Sequence, residues 1–217
     1  MIDIVHWGRI PYSEAWQKQT ELFQSRITAK QQGKNFLPDM LISCEHNPVY
    51  TLGKNGLSNN LLIGSIELEQ KGVEFFKIDR GGDITYHGPG QLVVYPIVDL
   101  EHFGIGLKEY INSLEEAVIV FLKDRAIQAG RLKGATGVWL QNPDRKICAI
   151  GVRCSRYITM HGLALNINTD LSYFRLINPC GFVDKGVTSL QQEMLGQAQD
   201  LQLCRDDLML ELKKQFS

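Results

Sequence analysis

What the sequence lacks narrows its class first. No Cys-x-x-Cys or His-x-x-x-His spacing occurs, and Cys148 and Cys154 do not form a usual zinc clip, so neither a metal nor another cofactor is expected. No apolar run approaches the roughly 18 residues of a membrane span, which excludes a membrane partner of that kind. The opening Met-Ile-Asp-Ile-Val-His-Trp has no charged lead and no cleavage site and is expected to be a strand, not a signal peptide. Net charge is only −1, so no global field steers the chain to nucleic acid or an anionic surface. Five cysteines are an odd number, which argues against a disulfide framework and for a reducing, cytoplasmic setting. No linker, repeat or low-complexity segment appears, so residues 1–217 are expected to form one domain.

What is present is concentrated in one stretch, Arg80-Gly-Gly-Asp-Ile-Thr-Tyr-His-Gly-Pro-Gly-Gln91. Four glycines and a proline in twelve residues let the backbone turn sharply and let another group approach it closely. The valine-rich run to Asp99 that follows reads as a buried strand. Such a loop can present main-chain N–H groups and the His87 imidazole to a ligand, although many Gly-rich hairpins bind nothing. An Arg-Gly-Gly triplet also occurs in RNA-binding segments, but those are repetitive and this one is single and flanked by strands.

Elsewhere, Pro11 opens a helix to about Gln32 with Trp16, Leu22, Phe23 and Ile27 as its buried stripe. Asp39–Cys44 and Val49–Leu52 read as strands, and His46 and Lys54 as surface residues. Asn59 to Lys71 reads as helical turns and Val73 to Asp79 as a strand. From Leu107, apolar residues at i, i+3, i+4 and i+7 predict a helix closing near Gly130. Gly137–Leu140, Lys146–Val152 and Ile158–Asn168 follow as strands, and Asp170 and Ser189 as helix caps. A last helix over Arg205 to Phe216 is a candidate appended lobe. Helices and hairpins interleave irregularly, which predicts an α+β fold with mixed or antiparallel sheets and flanking helices.

Among the thiols, Cys44 and Cys148 lie within apolar strand patterns and read as inert. Cys180, between Pro179 and Gly181, sits where the chain can bend and expose it. A nucleophilic thiol needs a neighbouring cation to ionise, and His87, His161 and Lys146 are the candidates. Spacing alone does not choose among them.

The segments Arg80–Gln91, Gly137–Trp139, Lys146-Ile-Cys-Ala-Ile-Gly-Val152, Met160-His-Gly-Leu-Ala-Leu-Asn166 and Asn178-Pro-Cys-Gly181 occur in that order. Together they resemble the motif set of the bacterial lipoyl(octanoyl) transferases. The resemblance implies the α+β catalytic domain shared with biotin and lipoate protein ligases, and a catalytic pair of Cys180, carrying an acyl-thioester, and Lys146, tuning it. It implies substrate contacts at Arg80, Gly81, Gly82, Asp83, Ile84, Thr85, Tyr86 and His87, at Ala149, Ile150 and Gly151, and at Gly162, Leu163 and Ala164. The donor would be octanoyl-acyl carrier protein, and the acceptors lipoyl domains of 2-oxoacid dehydrogenase subunits and the glycine cleavage H protein. A monomer is expected. An eight-carbon tail calls for an apolar tunnel, with Ile84, Tyr86, Ile150 and Leu163 as wall residues, and an acidic carrier calls for a basic patch, with Arg131 and Lys133 or Arg153 and Arg156 to supply it. The rival readings are an ATP-using ligase, a carrier-binding module and a thioesterase.

Overall fold

Side-chain alternation along one strand, Gln91–Ile97, divides the molecule into two cores. Leu92 and Val94 point into one core, and Val93, Tyr95 and Ile97 into the other. The computed structural model describes residues 2–34, 37–178 and 185–216. In chain order the elements are β1 (Ile2–Ile10), α1 (Tyr12–Gln31), β2 (Asp39–His46), β3 (Val49–Leu52), α2 (Ser65–Gln70), β4 (Glu74–Lys77), β5 (Ile84–His87) and β6 (Gln91–Ile97). They continue with α3 (Leu107–Lys123), β7 (Gly130–Leu132), β8 (Ala135–Leu140), β9 (Arg145–Ser155), β10 (Ile158–Asn166), β11 (Gly186–Val187), α4 (Leu190–Glu193) and α5 (Leu201–Gln215).

The main sheet runs β1-β2-β6-β10-β9-β8-β7, with β11 alongside β9, and β4-β3-β5 form a second, smaller sheet. Parallel pairs (β1 with β2, β3 with β4) and antiparallel pairs coexist, giving the mixed α+β architecture that was expected. One face of the main sheet is covered by α3 and α5 and the other by α1, with the small sheet beside it.

Several boundaries differ from the sequence reading. The buried stripe of α1 runs through Tyr12, Ala15, Gln19, Phe23, Arg26 and Ile27, leaving Trp16 and Leu22 half-buried at its flanks. Two buried polar residues in that stripe hide its apolar period. The helical turns expected over Asn59–Lys71 form as a short 3-10 turn, Ser58–Asn60, and α2, separated by four non-helical residues. The helix from Leu107 ends at Lys123, and the residues before Gly130 lead into β7. The last helix starts four residues earlier than Arg205, because the Asp200 carboxylate caps the N–H groups of Gln202 and Leu203. It is no appended lobe: Cys204, Leu208, Met209 and Leu212 pack into the same core as Tyr110, Leu114 and Phe121 of α3. His46, read as a surface residue, is fully buried; its Nε2 lies 2.6 Å from the Tyr95 hydroxyl and its Nδ1 2.9 Å from the Ile10 carbonyl.

Candidate active site

A β-bulge determines where Lys146 points. Along β9, strict alternation would put Lys146 on the same face as Cys148, Ile150 and Val152, which belong to the core under α3 and α5. The β8–β9 register steps from Val138↔Cys148 to Trp139↔Lys146, so Ile147 is the extra residue. Ile147 and Cys148 are therefore both buried, and Lys146 joins Ala149 and Gly151 in lining a cavity on the opposite face. The Lys146 ammonium sits 4.6 Å from the centre of the Trp139 ring, and that of Lys185 sits 5.9 Å from it.

Two contacts fix this edge. The buried Glu115 carboxylate of α3 accepts the Gly137 N–H at 2.9 Å and Arg131 Nε at 2.9 Å. Gly137, at φ +114°, lies so close to β9 that a Cβ would come within 2.4 Å of the Cys148 carbonyl. Across β9, Thr188 N–H donates to the Lys146 carbonyl at 2.9 Å, while Asn166 Nδ2 donates to the Thr188 carbonyl at 3.0 Å. Asn166 Oδ1 accepts from Gln91 Nε2, and Gln91 Oε1 meets His87 Nδ1 at 2.8 Å. A chain of buried side-chain bonds thus ties the Gly-rich loop to the segment that returns beside Lys146.

The loop itself lies over β9. Gly81 N–H donates to the Val152 carbonyl, and the buried Arg80 guanidinium donates to the Thr51 carbonyl at 2.7 Å and to its hydroxyl at 2.9 Å. The Asp83 carboxylate accepts Ile84 N–H at 2.7 Å and Asn60 Nδ2 at 2.6 Å. Arg80, Gly82, Asp83, Ile84, Thr85 and His87 all line the cavity. So do Ala149, Ile150 and Gly151 of β9, and Gly162, Leu163 and Ala164 of β10.

Gly81 and Tyr86 do not line it. Gly81 is turned to its bond with β9, and Tyr86 points to the far face of the small sheet, stacked on Tyr173 at 4.6 Å between ring centres. Tyr86 is accordingly not a tunnel wall residue; Ile84, Ile150 and Leu163 border the cavity, but Ile150 and Leu163 belong to the core under α3 and α5 on the opposite face of the sheet. Cys180 lies outside the described residues. Tyr12, Gln91, Val93, Tyr95, Trp139, His161 and Asn166 line the cavity without having been assigned to it from the sequence. Gln91, Trp139, His161 and Asn166 lie within the recognised motifs, which was signal enough; Tyr12 lies far from any.

Exposure falls from one end of the cavity to the other. Lys146, Lys185 and Gly186 mark its open end, and the buried Tyr12, Val93, Tyr95 and His87 its inner end. There, burial pushes the His46 imidazole down to about 4 and that of His87 to about 3, so both are neutral near pH 7. His161, also buried, donates its Nε2–H to the Asp79 carboxylate at 3.0 Å, and Asp79 pairs with Arg153. The His161 hydrogen bond holds the Asp79 carboxyl below its usual range. Burial raises the thiols of Cys44 and Cys148, in keeping with inert core residues. Arg131 is committed to Glu115 and Glu116, and Arg153 to Asp79, which leaves Lys133 and Arg156 as the unassigned members of the expected basic patches.

Comparison with known proteins agrees with this geometry. Residues 11–216 match the family of the lipoyl protein ligase A/B catalytic domain. An octanoyltransferase of Bacteroides fragilis is 58% identical over 209 residues, covering 95% of this chain and 94% of the relative. One of Parabacteroides distasonis is 56% identical, over 93% of this chain and 92% of the relative. In fold, the chain is similar to the archaeal bi-partite lipoate protein ligase of Thermoplasma acidophilum (TM-score 0.71, 14% identity, 99% of this chain and 84% of that one). It is also similar to the biotin protein ligase of Aquifex aeolicus in complex with biotin and ATP (TM-score 0.54, 13% identity, 99% and 69%). Family match, identity and a cavity assembled from the shared motifs together show that the chain belongs to the octanoyltransferases of the lipoyl protein ligase A/B catalytic-domain family.

Proposed function

We propose that the protein moves an octanoyl group from octanoyl-acyl carrier protein, through a thioester on Cys180, to the ε-amine of a lysine on a lipoyl-accepting domain. The acceptors would be 2-oxoacid dehydrogenase subunits and the glycine cleavage H protein, and the step would open endogenous protein lipoylation in the cytoplasm. One observation carries the reading: a bulge turns the Lys146 ammonium to the open end of an otherwise largely apolar cavity.

In the first step the Cys180 thiolate attacks the thioester carbonyl. The carrier's phosphopantetheine thiolate leaves and takes its proton from the Lys146 ammonium, which becomes the neutral amine. In the second step the acceptor lysine's neutral amine attacks the Cys180 thioester. An amide forms, the Cys180 thiolate departs, and the amine's surplus proton passes to Lys146. As a cation Lys146 stabilises the thiolate, and as a neutral amine it can take a proton; the two groups titrate as a pair. Exchange of one thioester for another is nearly balanced, and amide formation is downhill, so no nucleotide is required.

Octanoyl-carrier and a lipoyl domain, mixed with the protein and no nucleotide, are expected to give octanoylated domain. Intact-mass spectrometry without acceptor should show one octanoyl adduct, absent in Cys180→Ala. Product only after ATP addition would point to a ligase. Free octanoate released as fast without acceptor as with it would point to a thioesterase, and either result removes the transferase reading.

A further inference from the structure

The cavity floor changes in side-chain size from strand to strand. On the face toward the small sheet, register partners form a row from β9 across β10 and β6 to β2: Ala149, Ala164, Val93 and Cys44. On one side of this row, the loop closes over Gly151, where a Cβ would meet the Gly81 carbonyl at 2.8 Å and Arg80 Cδ at 3.1 Å. On the other side stand Gln91 and Asn166, opposite each other and hydrogen-bonded at 2.9 Å. Between them runs a trough one row wide, floored by two alanines and stopped by a valine.

Behind Val93 the inner end has little room to give. The Tyr12 and His87 rings are stacked 6.1 Å apart, and the Tyr95 hydroxyl is bound to His46. Neighbouring strands lie about 4.8 Å apart, so the distance from β9 to β6 is about 10 Å. Seven C–C bonds of about 1.5 Å, zigzagging in an extended eight-carbon acyl chain, span about 9 Å. The trough and the chain match in length.

We propose that Ala164 and Val93 form an acyl-length gauge set at eight carbons. Ala164 keeps the floor low enough for the chain to cross β10, and Val93, backed by Tyr12 and Tyr95, is the stop. The inference rests on the acyl-transfer reading for its ligand class, a saturated straight-chain acyl group.

Calorimetric binding of free hexanoate, octanoate and decanoate to the full chain tests it without turnover. In the wild type, affinity is expected to rise from hexanoate to octanoate and then fall at least tenfold at decanoate. Ala164→Val should weaken hexanoate and octanoate alike by at least tenfold, because both chains cross β10, and Val93→Ala should move the optimum to decanoate. A wild-type affinity that keeps rising about fourfold per methylene through decanoate would overturn the gauge, because that is simple burial with no stop. Unweakened binding in Ala164→Val, or equal shifts at all three lengths in Val93→Ala, would overturn it too. Should Ala164→Val fail to fold by circular dichroism, Val93→Ala decides alone. Transfer assays with the matching carrier thioesters separate the two ideas. A break at eight carbons in binding without any transfer keeps the gauge and loses the reaction; transfer without a break does the reverse.

Discussion

His46 and His87 sit in the interior as neutral imidazoles, and that fixes what they can do. His87 was a candidate cation for the thiol, but a group held near 3 is unprotonated at neutral pH and serves as a hydrogen-bond partner for Gln91. Both imidazoles bind protons more readily in the unfolded chain, where their value is near 6.5. Their contribution to stability is therefore complete above pH 6.5 and is lost progressively as pH falls toward 4 and then 3. Urea unfolding is expected to show a nearly constant free energy from pH 8 to 7 and a fall on the order of a few kcal/mol by pH 4.5. Carboxylates such as Asp79, held low by its bond to His161, add a fall of the same sign at more acid pH. A His46→Asn, His87→Asn double variant isolates the histidines: it should be less stable at pH 7.5 but lose less between pH 7 and 5. An equally steep fall in the variant would mean that other groups carry the dependence.

At the scale of the element, β9 shows what a sequence discloses and what it conceals. Its apolar run marked a strand, and the strand is there, antiparallel to β8. The extra residue at Ile147 left no trace in the letters, since bulge position depends on which backbone groups pair across to β8. Lys146 was legible as important through its motif, while the reason it faces the cavity was not. Likewise α3 was plain from its apolar period, yet Glu115 on its buried side is invisible to that period. That carboxylate is the clamp on the bulged edge, and removing it has a specific consequence. Glu115→Ala leaves the Gly137 N–H without its acceptor, a loss of about 1–3 kcal/mol. Hydrogen exchange at the Gly137 amide should quicken at least tenfold, and kcat for acyl transfer should fall with KM little changed. Glu115→Gln keeps an acceptor oxygen and should restore slow exchange; fast exchange in both variants would mean that the carboxylate's charge, through Arg131, is what holds the strand.

Across the whole molecule, the cavity draws on residues from Tyr12 to Val187, lying between a main sheet and a small one. Motif segments close in sequence announced much of its wall, because the loop and β10 each contribute consecutive residues. Tyr12 could not be read that way: it reaches the inner end only because α1 packs across β10 and β6, a consequence of tertiary packing. The C-terminal helix teaches the same lesson on the opposite face. Read alone it passes for an add-on, yet Leu208 is fully buried in the core shared by α3, β6, β8 and β10. An integral helix and an appended one differ in cooperativity. Leu208→Ala removes a buried side chain at a cost of about 2–5 kcal/mol. If α5 is integral, the far-UV signal of all helices and the fluorescence of Trp7, Trp16 and Trp139, none of them on α5, should shift together to lower urea with an unchanged slope. An appended lobe would instead lose part of the helical signal early and leave the tryptophan transition where it was.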